Sequence, residues 1–534
     1  MKTVSPTPAV ILAALVVVVV LVSVAVPAPV SAADSFSTLG SGLKDRESTE
    51  VVLSGYFRSR FAALRNLDLD RGGTPSGNPI YPVPARDPDG QWLTNADMRL
   101  RTDLSIFAPR GGVVVRARAD VLDNVAFGSH ALGTPSATVS QDTDTQAVAV
   151  RRLYAEAALP FGVLAVGRMA NTWGTGMLAN GGDGLDQDST DAVDRIVFAT
   201  PLVGHAFAIA YDISATGPTV ARPDARKIDA GPIDDVRSLT IAVIRGLSPE
   251  TLARRDAAGL VSVDWGALYA HRWQAVDNAA WLPRIDEASD RKPTTAPLDR
   301  GFSAHVGDLW LRVHSRIVDV QAELAAMSAR YEQPSIVPGV SFHAPVESLQ
   351  LGGVLKARIG RPTGLFAGFL LAWASGDPAP GMGYEQPVGA VAPKPGDLHG
   401  AQADPPRDNR IDNFRMHRDF RVDRILFREL VGGITDATVA RIEFGHVMTD
   451  FGAGTLTSSV AGMFARANEA TSTPSGDASL GFELNPTLTY ASQDGFRVQL
   501  QYAALLPLAG FDNPVSLDSA DPAQLWRLHV GYLF

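Results

Sequence analysis

Arginine gathers at a fixed spacing in the first third of this sequence: Arg58 with Arg60, Arg99 with Arg101, and Arg116 with Arg118, followed by Arg152 and Arg168. Residues two apart share one face of an extended chain, so each pair stacks along one side of a strand. Strands about 4.8 Å apart would bring several such pairs side by side, and the array would repel itself unless acids interleave. Asp97, Asp103, Asp120 and Glu156 fall at the matching parity and supply that interleaving. Lining a pore, this array would act as a transverse charge field that selects small solutes by charge and dipole. In a closed wall it would only stiffen the structure.

A second charged group is the acidic run Asp183, Asp186, Asp188, Asp191 and Asp194. Its spacing departs from the calcium-loop pattern D-x-D-x-D-G, so it reads as solvated loop charge rather than a metal site. Catalytic signatures are absent: there is no G-x-S-x-G, no H-E-x-x-H and no phosphate-binding Gly-Lys-Ser/Thr loop. His529 lies beside Arg527, but nothing anchors a triad around it. The expectation is a non-enzyme with no cofactor and no metal.

The elements that would position these charges are strands. Val51, Leu53, Phe57 and Phe61 alternate with Ser54, Arg58 and Arg60, and Leu100, Leu104 and Ile106 alternate with Arg99, Arg101 and Asp103. The same period of two recurs at 113–121, 318–324, 440–444, 480–490, 496–502 and 526–534. Many segments reach about 10–14 residues, which suits a tilted transmembrane strand better than a globular one. Tight links alternate with long polar stretches near 64–92, 124–146, 171–194, 214–236, 275–301, 376–420, 449–477 and 508–523. After residue 33 no apolar run is long enough for a transmembrane helix, and open strand edges cannot lie in lipid. The fold expected is therefore all-β: a transmembrane antiparallel up-and-down barrel of about 18 strands, with 16 the runner-up. Long loops face outward, short turns face the periplasm, and the 376–420 stretch covers or enters the mouth. Arg245–Leu260 reads as a longer than usual turn, and Val306–His314 fits either strand phase.

Residues 1–33 read as a cleavable secretory signal: Lys2, an apolar run from Ala9 to Val26, Pro27 and Pro29, then the small residues Ser31-Ala32-Ala33. Residues 34–50 read as a short periplasmic leader and 51–534 as one barrel domain. Zero Cys excludes disulfides and thiol chemistry. Without Lys2 the chain carries 46 basic and 57 acidic residues, a net −11, which argues against nucleic-acid binding.

The last ten residues, LWRLHVGYLF, resemble the C-terminal targeting signal of outer-membrane barrels, with Trp526, Leu528, Val530, Tyr532 and Phe534 at its alternate positions. That resemblance implies recognition by the barrel assembly machinery and a place among outer-membrane lipids and lipopolysaccharide. AVGRMANTWGTG (165–176), followed by DGLDQDSTDAVDR (183–195), resembles the strand-to-loop passage of porin-like families of about 18 strands, the alginate-export type among them. The lumen of that type is strongly basic, whereas acids accompany most arginines here, which puts a polyanionic substrate in doubt. The function expected is passive or weakly selective diffusion of small hydrophilic solutes, mildly anion-preferring. The alternatives are a plugged barrel with a structural or surface role and, more remotely, a barrel-embedded hydrolase. A homo-oligomer is left open.

Overall fold

The computed structural model describes residues 36, 38–44, 46–84, 91–127, 148–217, 219–221, 224, 227–229, 231–277, 298–334, 344–361, 363–383, 394–400, 408–451 and 453–534. The signal-like residues 1–33 lie outside this set. The strands, in chain order, are β1 Glu50–Arg65, β2 Trp92–Phe107, β3 Val113–Ala126, β4 Val148–Leu159, β5 Gly162–Ala170, β6 Ala192–Leu202, β7 His205–Ala215, β8 Thr219–Ala221, β9 Lys227–Asp229 and β10 Val236–Arg245. They continue with β11 Ser262–Asp277, β12 Leu298–His314, β13 Val318–Tyr331, β14 Val346–Gly360, β15 Gly364–Ala374, β16 Ala437–Phe451, β17 Gly454–Ala467, β18 Ser479–Ser492, β19 Phe496–Pro507 and β20 Ala523–Leu533. Each pairs antiparallel with its neighbour except β8 and β9, a separate hairpin in the loop between β7 and β10.

The remaining 18 strands close on themselves through β1 and β20. Closure leaves no edge, as a span through hydrocarbon requires. At the seam, Phe534 and Gly55 exchange main-chain hydrogen bonds of 2.9 and 3.1 Å. The count of 18 holds and 16 does not. The long link before β11 is partly helical: α1, Pro249–Ala257, starts from a Ser248 cap whose hydroxyl accepts from the Thr251 amide.

Strand phase follows the alternation in the sequence. Phe57 and Phe61 face outward at 42% and 40% exposure, while Arg58 and Arg60 between them are buried inside. Outward positions form an apolar band with Leu100, Ile196, Leu309, Leu324, Phe444 and Leu500. Trp92 stacks on Trp526 with centroids 5.3 Å apart, and Tyr502 joins them at 5.2 Å, an aromatic cluster of the kind that borders such bands.

Inward positions are not uniformly polar. Near the long-loop end of β15–β20 they are small or apolar: Ala372, Ala374, Ala437, Val439, Ala465, Ala467, Ala503, Leu505, Ala523 and Leu525. Methyl-sized side chains leave room for residues 408–436, between β15 and β16, which turn inward and pack Met416, Phe427, Leu430 and Ile434 against them. Gly352 of β14 is part of this fit, since a Cβ there would collide with the Phe414 ring. The segment ends in a π-helical turn, Leu426–Val431. The bore is therefore an apolar wall with a loop folded onto it, facing a charged wall.

Candidate functional site

The charged wall is the arginine array. Arg101 makes a two-point contact with Asp120 (Nε–Oδ1 2.6 Å, Nη2–Oδ2 2.8 Å), and Arg118 makes the same contact with Asp103 (2.6 and 2.9 Å). Arg60 Nε bonds Asp97 at 3.0 Å, Arg99 Nη1 bonds Asp123 at 3.1 Å, and Arg116 Nε bonds Glu156 at 2.7 Å. Two-point guanidinium–carboxylate contacts are strong and directional, so each acid fixes the rotamer of its arginine. The register places Arg101 opposite Asp120 and Asp103 opposite Arg118 on β2 and β3.

The first three acids of the run, Asp183, Asp186 and Asp188, are drawn out of solvent, while Asp194 stays exposed. The chain from β5 to β6 folds across the bore and delivers Asp183, Asp186 and Asp188 to the arginines. Asp183 pairs with Arg118 and, at 2.7 Å, with Arg152. Asp188 lies 2.9 Å from Arg58 Nη2 and 2.8 Å from Arg60 Nη1. The carbonyls of Leu185, Gln187 and Gly182 accept from Arg58, Arg99 and Arg101 respectively. Wall acids already pair with Arg60, Arg99, Arg101 and Arg118, and the loop adds the carboxylates nearest to Arg58 and Arg152, which compensates the remaining buried charge on this wall.

The other end of this loop is pinned to the facing wall. Trp173 Nε1 donates to Asp308 Oδ1 at 2.6 Å, and Glu323 accepts from the Thr175 amide. Gly174 holds a left-handed φ of +52°, and a side chain there would strike Glu323, so glycine is required on both counts. Lys356 reaches the Thr175 carbonyl at 3.3 Å and lies over the Phe420 ring.

The second inward loop brings cations that the spacing argument misses. Arg421 Nη2 bonds Asp188 at 2.7 Å, and Arg428 bonds both oxygens of Asp186 at 2.6 and 2.9 Å. Asp419 accepts from the amides of Asp188 and Ser189, at 3.1 and 2.6 Å. Glu483 of β18 accepts from the Arg424 and Leu426 amides, at 2.7 and 3.0 Å, and so caps the π-helical turn. Burial favours protonation of Asp186 and Asp188, but the opposing guanidiniums, Arg428 on Asp186 and Arg60 on Asp188, outweigh it and hold both below the usual carboxylate range.

Between the loops and β1, β2 and β20 lies a cavity of about 280 Å³. Arg60, Arg418, Arg421, Arg428 and Arg527 border it, against Asp97, Asp188 and Glu429. Of the predicted wall residues, only Arg60 and Asp97 reach this cavity; Arg58, Arg99 and Arg101 are sealed behind the loop. Arg168 does not face the bore: it lies outward beside Val166 and bonds Asp194, also exposed, at 2.8 and 2.7 Å. A bulge between β3 and β4 turns Arg151 inward as well as Arg152, and Arg151 bonds Asp120 at 3.1 Å. Trp526, Leu528 and Tyr532 lie on the outward face of the closing strand, which Phe534 joins to β1.

The sequence matches no family model and no curated protein. Its fold resembles OpdK of Pseudomonas aeruginosa, solved with vanillate (TM-score 0.46, 12% identity, covering 91% of this chain and 98% of that one). It also resembles OccK5 (OpdH) of the same organism (0.45, 9%, 92% and 99%) and a BenF-like porin of Pseudomonas fluorescens Pf-5 (0.42, 10%, 92% and 100%). The barrel assignment stands on the strand register itself. A closed antiparallel barrel with an apolar exterior and a charged interior is an integral outer-membrane protein of porin-like build.

Proposed function

We propose that this protein is an outer-membrane channel for passive or weakly selective diffusion of small hydrophilic solutes, with a preference for anions. The observation that carries the reading is the cavity at the loop junction, where five arginines face three acids. Field lines focus at such a narrow, low-dielectric place, so its local charge outweighs the acidic total of the chain. Loop acids in bulk electrolyte are screened within about 8–10 Å. Because each arginine also has a fixed partner, a solute carboxylate or phosphate exchanges with protein carboxylates instead of meeting bare charge, which favours passage over tight binding. Single-channel recording in a salt gradient tests this directly. Discrete ohmic steps with an anion-side reversal potential support it, and a cation-selective channel overturns it.

The interlocked loops favour a second reading, a plugged barrel with a surface role, since Asp186–Arg428 and Asp188–Arg421 close the bore from two sides. An electrically silent bilayer containing assembled protein would select it.

A further inference from the structure

The bore holds one more piece of chain, and it comes from the leader before β1. Phe36 is 3% exposed, seated on the inner wall of β5–β10. Its ring meets Trp173 edge-on (centroids 6.4 Å apart, planes at 72°), and the Arg195 guanidinium lies 4.9 Å from its centre. Beneath it the inward positions are Ala165, Ala199, Ala208, Ala210 and Ala242. A water-lined bore has no use for five methyl groups in a patch, whereas an aromatic ring laid on the wall needs that room.

The described residues between Phe36 and β1 contact β4, β3 and β2 in turn. The Gly40 amide donates to Glu156 Oε2 at 2.7 Å, and the Ser41 carbonyl accepts from Arg116 Nη2 at 2.6 Å. Arg46 covers the Phe107 ring at 4.0 Å, and its carbonyl accepts from the Arg110 amide at 3.1 Å. Glu156 and Arg116, predicted as pore lining, are thus partly occupied by this segment. The chain crosses from the periplasmic foot of β1 past β2–β4 and rises to mid-barrel, beneath the loop that carries Trp173.

We propose that the described residues from Phe36 to Arg46 form an intraluminal strap that narrows the periplasmic half of the channel, with Phe36 as its latch; this rests on the channel reading above. One buried aromatic and a few hydrogen bonds hold the strap, against a full ladder for every barrel strand. The strap therefore leaves and returns while the barrel stays closed.

Two measurements test it. Deleting residues 36–44 should raise unitary conductance about two-fold, because a chain roughly 4.8 Å wide leaves the bore. A native channel that conducts and is unmoved by the deletion overturns the strap and leaves the channel reading standing. Silence before and after the deletion overturns both, and silence relieved by the deletion supports the strap. The chain has no cysteine, so Leu39→Cys gives a single thiol next to the latch. In folded barrels a membrane-impermeant thiol reagent should label it about ten-fold more slowly than it labels the same cysteine in a Phe36→Ala background, as expected for a locally opening segment. Equal rates in the two backgrounds overturn the latch, whatever the conductance shows.

Discussion

Asp186 and Arg428 form a two-point ion pair, 2.6 and 2.9 Å, that locks the two inward loops together at the middle of the barrel. The pair is mostly enclosed, and Arg421 and His529 lie 3.3 and 3.7 Å from the same carboxylate. Asp186→Asn keeps the shape and removes the charge these groups share. Leaving a partly buried charge short of its partner costs about 1–3 kcal/mol. We expect a lower thermal midpoint for the barrel and a reversal potential moved further toward anions. Native selectivity in this variant would place Asp186 off the conduction path.

The pH response follows from the same contacts. Asp186 and Asp188 are held below the usual carboxylate range, so their contribution is complete above an unfolded value of about 3.9 and fades only as pH falls toward the folded values. Selectivity should therefore be flat from pH 7 down to about pH 5. Asp423 goes the other way: burial, then the charge of Glu483, push it up to about 8. The stability it contributes is present at low pH and is lost as pH rises through about 8. Asp423→Asn should flatten that decline in the thermal midpoint, which runs from about pH 4 to about pH 8, and an unchanged slope there would assign the decline elsewhere.

The barrel is legible in the sequence because lipid and water select opposite residue types at alternate positions, as in Phe57 and Phe61 against Arg58 and Arg60. What that alternation cannot encode is where a loop goes. Asp183, Asp186 and Asp188 read as surface charge because their partners lie far away in the chain: Arg118 and Arg152, Arg428, and Arg60. The available signal is the excess of inward arginine over inward acid on β1–β4, which needs an outside source of carboxylates. Runs of inward alanine on β5–β10 and β15–β17 are a second signal, marking walls that receive chain instead of water. Arg168 escapes the parity argument because a lone Gly-Arg pair has no neighbours to fix its phase, and Arg151 because a bulge shifts parity by one.

Opposite faces of β19 should respond oppositely to charge. Leu500 is outward at 52% exposure, and Leu500→Arg puts a cation into lipid, costing roughly 2–4 kcal/mol near the midplane. Gln501 is inward and bonds Gln499 at 2.6 Å, so Gln501→Arg should lower the assembled fraction far less. The fraction is read from migration of unboiled and boiled samples on a denaturing gel. Equal damage would reverse the strand phase.

Removing Phe534 takes away both main-chain hydrogen bonds to Gly55 and the end of the strand that closes the barrel. We expect assembled barrel to fall several-fold, well beyond the effect of an exposed-loop change such as Val515→Ser. Normal outer-membrane levels after the deletion would show that closure does not depend on this residue.

The arginines should divide into two classes by what they touch. Arg99 and Arg101 are each 1% exposed and bind loop carbonyls and wall acids, so solute does not reach them. Arg421 and Arg527 border the cavity, where Arg527 bonds Glu429 at 2.7 Å and Arg421 bonds Asp188. Ion choice follows the charges that meet the conduction path, and structural charges behind the loop act only through position. Arg421→Ser and Arg527→Ser should move the reversal potential toward cations while the barrel stays heat-modifiable. Arg101→Leu leaves Asp120 with Arg151 alone and frees the Gly182 carbonyl, so its first effect should be on stability: a buried pair broken on one side costs about 3–5 kcal/mol. Loosening of the β5–β6 loop would then appear as conductance noise before any shift in selectivity. If Arg101→Leu instead moves the reversal potential cleanly at native stability, the sealed wall is part of the path and the division fails.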